Sequence, residues 1–209
     1  MHYLIITTSI QNRFGIQHSE KRKEEYLSAI TESLSHLPHE IYPIIVENNN
    51  ITESYLDHFM HNGEHVPVYY TMNNHRNLKS KGMIELVDVK EVIQHYGIKD
   101  NDMVIKLTGR YTVKSPTFFK NVLDHPEYSA FAKFYNVCTK QYLTDDSILG
   151  LYAVRASLLR YWSHLTMNYH PSAEVAFAHH IRLHTQAICE IKELDLECIF
   201  ADDGVVLHV

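Results

Sequence analysis

The chain has 209 residues, 45% hydrophobic and 21% charged, the proportions of one soluble globular domain long enough to bury a core without disulfides or a structural metal. With 19 Lys and Arg against 25 Asp and Glu, its formal charge of -6 argues against a general nucleic-acid surface, so any anionic ligand must be held locally. Glycine is scarce at 7, and none forms GxGxxG or GxxxxGK[ST]; the dinucleotide-binding, P-loop and glycine-rich methyltransferase classes are thereby excluded.

In chain order, residues 3–8 form a short apolar run suited to a strand buried on both faces, and residues 19–37 carry Tyr26, Leu27, Ile30, Leu34 and Leu37 at helical spacing. A second strand is predicted over 41–46, stopped by Asn48, Asn49 and Asn50, with Thr52 capping a helix over 53–60. A third strand follows the Asn62-Gly63 turn over 66–71. The polar stretch 73–81 leads through Gly82 into an amphipathic helix with Ile84, Leu86, Val87, Val89, Val92 and Ile93, ended by Gly97. A fourth strand over 102–107 runs out into Thr108-Gly109-Arg110-Tyr111. Three βα steps in succession imply a mostly parallel central sheet flanked by helices, an α/β fold in a single domain. In the second half, helices are expected over 116–123, 157–165 and 173–188, the last capped by Ser172, and strands over 130–137, 148–154, 191–199 and 205–209.

The three cysteines, Cys138, Cys189 and Cys198, are odd in number and form no CxxC pair, which points to a reduced, cytoplasmic setting. Residues 1–10 are apolar but lack a basic leader and end in polar Thr7, Thr8 and Ser9, the pattern of a first strand and not of a secretion signal. No apolar run approaches the ~20 residues of a membrane span, so the Asn50-Ile51-Thr52 sequon is expected to stay unmodified.

Ligands of open parallel sheets sit outside the carboxyl ends of the strands. Those ends carry Thr7, Thr8 and Ser9; Glu47 and Asn48; Asn73, Asn74 and His75; and Lys106, Thr108, Gly109 and Arg110. Polar ends have a plainer reading too, since every strand must leave the core through polar residues. Lys106 and Arg110 stand out: two cations four apart at the exit of an apolar strand, with Gly109 permitting close backbone approach. Arg76, Lys79 and Lys81 add to the same rim, as a clamp for phosphate or carboxylate or as a solvated charged face.

The order of these motifs resembles the GT-A type of glycosyltransferase, the nucleotide-diphospho-sugar transferase fold, over nearly the whole chain. Ile44-Ile45-Val46-Glu47-Asn48-Asn49 is similar to the second strand's polar end near the base, residues 73–82 to a loop rich in Asn, Arg and Gly, and Ser172-Ala173-Glu174-Val175 to the start of the helix bearing the acid or base. The resemblance implies a nucleotide-binding half over 1–113, an acceptor-side half over 114–209, a nucleotide-sugar donor, expected to be a UDP-sugar, and a glycan acceptor. It also implies Mn²⁺ or Mg²⁺ on a DxD, but Thr108-Gly109-Arg110 stands in that place; the literal Asp100-Asn101-Asp102 precedes the strand and reads as a turn. Lys106 and Arg110 are the expected substitute for the cation.

Glu174 is the first choice for the base, although a first-turn Glu also suits the helix dipole; Asp145 and Asp146 come next, with a solvated turn as their plainer reading. His208 matches the late His that the resemblance places near the diphosphate or its metal. A competing ligand set joins His208 to Asp145, Asp202 or Asp203. His179, His180 and His184 lack an HExxH and are expected not to form a zinc site. Trp162, Tyr161 and Tyr169 form either a sugar platform or core. Two alternatives stay open: a metal-dependent phosphodiester hydrolase using Glu47, Asp145, Asp146 and Glu174, and a non-catalytic domain binding nucleotide or glycan.

Overall fold

A computed structural model describes residues 1–11, 18–49, 54–200 and 204–209. The sequon, the start of the predicted 53–60 helix, Asp202 and Asp203 lie outside these residues. The first half runs β1 (His2–Thr8), α1 (Ser19–Ser35), β2 (Ile41–Glu47), β3 (Met60–His61), β4 (Glu64–His65), β5 (Val68–Tyr70), α2 (Lys81–His95) and β6 (Met103–Thr108). The second half continues with β7 (Thr112–Val113), α3 (Thr117–Asp124), β8 (Ala130–Ala132), β9 (Leu151–Arg155), α4 (Ala156–Arg160), α5 (Ala173–His184), β10 (Ile188–Glu190), β11 (Leu196–Ile199) and β12 (Val206–His208).

Seven strands form the central sheet in the order β10-β8-β9-β6-β1-β2-β5. Its β6-β1-β2-β5 part is parallel, whereas β9 runs antiparallel to both β6 and β8, so the sheet is mixed. The middle strands are hydrophobic on both faces because both are covered. Leu4 and Ile6 pack with α1, α3 and the small β12-β11-β7 sheet, while Ile5 packs with α2, α4 and α5. This three-layer α/β domain is the expected class.

Several expectations shift. Residues 54–60 hold no helix: Leu56 and Phe59 have helical spacing, but they bury beneath a β3–β4 hairpin whose Asn62-Gly63 turn has φ of 53° and 80°. The predicted strand over 66–71 contracts to β5, next to Pro67, whose nitrogen cannot join a ladder. The helix expected over 157–165 splits into α4 and a 3-10 turn over His164–Tyr169, with buried Trp162 between them packed on Phe177 and His180. The last long helix stops at His184, and the residues after it supply β10, an unforeseen edge strand.

Candidate functional site

The parallel strands deliver their polar ends to one side of the sheet, and there the polar groups are tied together. Thr8 Oγ1 donates to the Val46 carbonyl at 3.0 Å. The buried Glu47 carboxylate accepts from the Ile10 N–H at 3.1 Å and the Tyr55 hydroxyl at 2.7 Å, and burial pushes its pKa up. Asn48 donates its amide to Asp88 at 2.9 Å and accepts the Asn74 N–H at 2.8 Å; Asn74 in turn donates to Ser9 Oγ at 2.7 Å.

Asp88, which the strand-end reading missed, is the hub of this network. It accepts from Thr71 at 2.6 Å, Asn73 at 2.7 Å and Asn48 at 2.9 Å, joining the segments after β2 and β5 to α2. Burial pushes its carboxyl up to about 7, against those hydrogen bonds. Its sequence signal was a carboxylate on the apolar face of the helix, four residues after Ile84 and four before Val92.

The cations at the rim differ in their commitments. Lys106, 2% exposed, spends its three donors on Glu85 at 2.6 Å, Thr108 Oγ1 at 2.6 Å and the Leu149 carbonyl at 2.9 Å. It is a saturated structural group. Burial would raise Glu85, but Lys106 and Lys81 hold it at about 2. Lys81, on the first turn of α2, stands 3.6 Å from Glu85 with about a third of its side chain in solvent. Burial, with Arg110, Lys106 and Arg22 nearby, brings its ammonium down to about 8, opposed by Glu85. Arg110 is 2% exposed; Nη1 donates to the Ile199 carbonyl at 3.0 Å, Glu25 lies 4.0 Å away, and Nε has no acceptor among the described residues. Gly109 serves the close approach: a Cβ there would stand 2.7 Å from Thr8 Cγ2 and 3.0 Å from the Thr7 carbonyl oxygen. Lys79 is exposed on the approach to α2.

Two cavities meet at Lys81, Glu85 and Thr108. The smaller, about 20 Å³, is lined by Thr7, Thr8, Ser9, Asn48, Asn74 and Asp88. The larger, about 160 Å³, adds Tyr111, Ser147, Gly150, Glu174 and Cys198. Glu174 arrives there because Ser172 caps α5 by accepting the Val175 N–H at 3.1 Å, and because Ser147 Oγ donates to the Glu174 carbonyl at 3.0 Å. Gly82 has room only for hydrogen, since a Cβ would overlap the Ala173 methyl, so the amino ends of α2 and α5 lie side by side. Glu174 has no ion-pair partner among the described residues.

Other expected site residues lie apart. Asp145 is exposed, and Asp146, raised by burial, accepts the Ser147 N–H at 2.8 Å; both stand in the turn before the cavity wall. His208 is exposed on β12, beside a separate hollow with Lys114 and Lys133, 4.0 Å from Glu197. His180 is a core residue, stacked on Trp162, bonded to the Leu158 carbonyl at 2.8 Å and brought down to about 4 by burial. Tyr161 and Tyr169 are exposed while Trp162 is buried, so the three form no platform. Asp100-Asn101-Asp102 is a turn at the other end of β6, with Asp102 accepting the Lys99 N–H at 2.8 Å. Among the described residues no three His, Cys, Asp or Glu side chains gather as metal ligands.

No family model and no curated protein matches the sequence. Solved structures do match. Galactosyltransferase LgtC in complex with donor and acceptor sugar analogs has a TM-score of 0.53 at 10% identity, covering 90% of this chain and 72% of that one. The fold is GT-A-like. S. aureus TarS 1-349 gives 0.56 at 12% identity over 91% of this chain and 58% of that one, and mouse xyloside xylosyltransferase 1 gives 0.52 at 10% over 91% and 84%. No helix among the described residues is long and apolar enough to cross a membrane.

Proposed function

We propose that the protein is a glycosyltransferase that moves a sugar from a nucleoside diphosphate, a UDP-sugar, to a glycan hydroxyl. The observation that carries this is the pair of joined strand-end cavities with Lys81 on their common wall and Glu174 lining the larger one. The fold, shared with a galactosyltransferase that binds donor and acceptor analogs, supports it. Residues 1–113 supply the nucleotide side through the ends of β1, β2 and β6, and residues 114–209 supply the acceptor side through Ser147 and Glu174. The three free thiols support a reduced, cytoplasmic setting.

In this mechanism Glu174 accepts the proton of the acceptor hydroxyl as its oxygen forms the new bond to the anomeric carbon. The bond from that carbon to the phosphate oxygen breaks, and its electron pair leaves with the diphosphate. Asp145 and Asp146 are the reserve candidates for the base, one loop away. The hydrolase alternative needs Glu47 beside Glu174, yet Glu47 is engaged by Ile10 and Tyr55 and does not line the Glu174 cavity.

Two measurements test the assignment. UDP at about one hundred times its Kd should add about 2.7 kcal/mol of stability, while NAD, ATP and S-adenosylmethionine leave the melting temperature unchanged. Glu174→Gln should keep UDP binding and lower turnover by about 10²- to 10⁴-fold. A melting temperature raised by ATP and indifferent to UDP would refute the assignment.

A further inference from the structure

The turn that leaves β6 decides what one wall of the larger cavity presents. In Thr108-Gly109-Arg110-Tyr111 the Tyr111 N–H donates to the Thr108 carbonyl at 2.8 Å, closing the four residues. The GT-A resemblance would put a DxD and its divalent cation here, and the residues present do not fit one: Glu85, the carboxylate in the wall beside Thr108, is engaged by Lys106 at 2.6 Å and Lys81 at 3.6 Å. What the turn delivers to the cavity is the side chain of Tyr111.

Gly150 makes room for that ring. A Cβ there would overlap Tyr111 Cδ2 and Cε2, so only hydrogen fits, and the Gly150 carbonyl accepts the Thr108 N–H at 2.8 Å, which ties the two segments together. The ring also packs against the core on the α1 side of the sheet. Its position is therefore fixed by the fold.

Its hydroxyl is not used by the fold. Three side-chain hydroxyls line the larger cavity, those of Thr108, Tyr111 and Ser147. Thr108 Oγ1 accepts from Lys106 at 2.6 Å, and Ser147 Oγ donates to the Glu174 carbonyl at 3.0 Å. The Tyr111 hydroxyl makes no hydrogen bond among the described residues, although a phenol set into a protein normally finds a partner. Burial, with Cys198, Glu85 and Glu174 nearby, holds it above its ordinary pKa, opposed by Arg110, so it is a neutral group able to donate and to accept. Cys198, Glu85 and Glu174 line the same cavity, which puts the phenolic oxygen on the cavity side of the ring.

Size and lining select the ligand. At about 160 Å³ the cavity is smaller than the roughly 300–1,000 Å³ of sites for drug-sized molecules, with room for one ring and not for a chain of them. Leu149 and Phe200 give its wall an apolar side, and Glu174 and Lys81 a polar one. A pyranose, with C–H faces and a rim of hydroxyls, matches both.

We infer that the Tyr111 hydroxyl hydrogen-bonds a ring hydroxyl of a single sugar held in the larger cavity, and so determines which sugar the site accepts. The inference rests on the transferase reading for the ligand class. An epimer that turns the bonded hydroxyl away leaves the phenol unpaired and is rejected.

The test compares wild type with Tyr111→Phe, which keeps the ring on Gly150 and deletes only the hydroxyl. The probes are UDP, UDP-glucose and UDP-galactose by calorimetry, and methyl glucoside and methyl galactoside by saturation-transfer NMR with and without UDP. The melting temperature without ligand should stay within about 2 °C, UDP should bind both proteins equally, and one sugar-bearing probe should bind the variant about three- to tenfold more weakly. For a glycoside that responds, one monodeoxy analogue should bind the two proteins equally, which a merely structural role of Tyr111 would not produce. Loss confined to a UDP-sugar marks the donor sugar, and loss confined to a glycoside marks the acceptor sugar; either upholds the inference. A larger fall in melting temperature would show the hydroxyl committed to the fold and overturn it, as would UDP and all sugar probes weakened alike. UDP bound with no sugar probe responding would leave the transferase reading and remove this inference; a glycoside responding with UDP rejected would do the reverse.

Discussion

Replacing Lys106 by Met tests whether this residue belongs to the fold and not to the ligand. The substitution keeps the length of the buried stem and deletes the ammonium, leaving Glu85, Thr108 and the Leu149 carbonyl without their donor. Removing one partner of a buried ion pair costs about 3–5 kcal/mol, and the low end applies because Lys81 remains 3.6 Å from Glu85. Lys106 is also the foremost of the cations that, against burial, hold the Glu85 carboxyl at about 2. For a chain of this length the melting temperature should fall by roughly 6–12 °C. The pH dependence has a definite sign. A carboxylate whose folded pKa is depressed stabilises fully above its unfolded pKa, near 4.5, and loses that contribution as pH falls toward 2. Urea denaturation from pH 6 to pH 3 should therefore show a gap of about 3 kcal/mol between wild type and Lys106→Met that narrows on acidification. Lys106→Met/Glu85→Gln should recover at least about 1 kcal/mol of the loss. A loss under about 1 kcal/mol at pH 6, or a gap independent of pH, would refute the placement of Lys106 in a buried ion pair.

Asp88 should show the opposite pH dependence. Its folded pKa is raised to about 7, so the folded state binds the extra proton between about pH 4 and pH 7 and stability falls as pH rises through that window; Asp88→Asn should flatten this slope in urea titrations. Gly109→Ala should destabilise by about 1–3 kcal/mol in the same assay, because the new methyl meets Thr8 Cγ2 at 2.7 Å and the Thr7 carbonyl at 3.0 Å; a neutral result would mean that the ends of β1 and β6 are more loosely packed than described.

Sequence alone determined the alternation of strands and helices, a mostly parallel sheet, and the end of that sheet that would carry polar groups; the pairing of β1 with β2 and β6 is a tertiary result. Doubly buried strands such as residues 3–8 and the helical face of α2 write their period directly into the chain, and Gly97 and Ser172 punctuate it locally. The GT-A-like order of elements was legible for the same reason. The helix expected over 53–60 rested on Thr52 as a cap, a local signal that does not show that Leu56 and Phe59 bury from an irregular segment. The site residues show a sharper division. Glu174 was named from its place at a helix start and Lys81 as a cation of the polar loop beside the strand ends, and folding brings them to one cavity. Spacing alone did not separate Lys106 from Arg110, since both are cations leaving one strand. Only the tertiary structure shows that Glu85, Thr108 and the Leu149 carbonyl converge on the first and leave the second with one bond. Asp88 acquires its role from Asn48, after β2, and from Thr71 and Asn73, on the segment between β5 and α2. Hydrogen-bond saturation depends on which distant groups share a few ångströms of space, a long-range property that local periodicity does not encode.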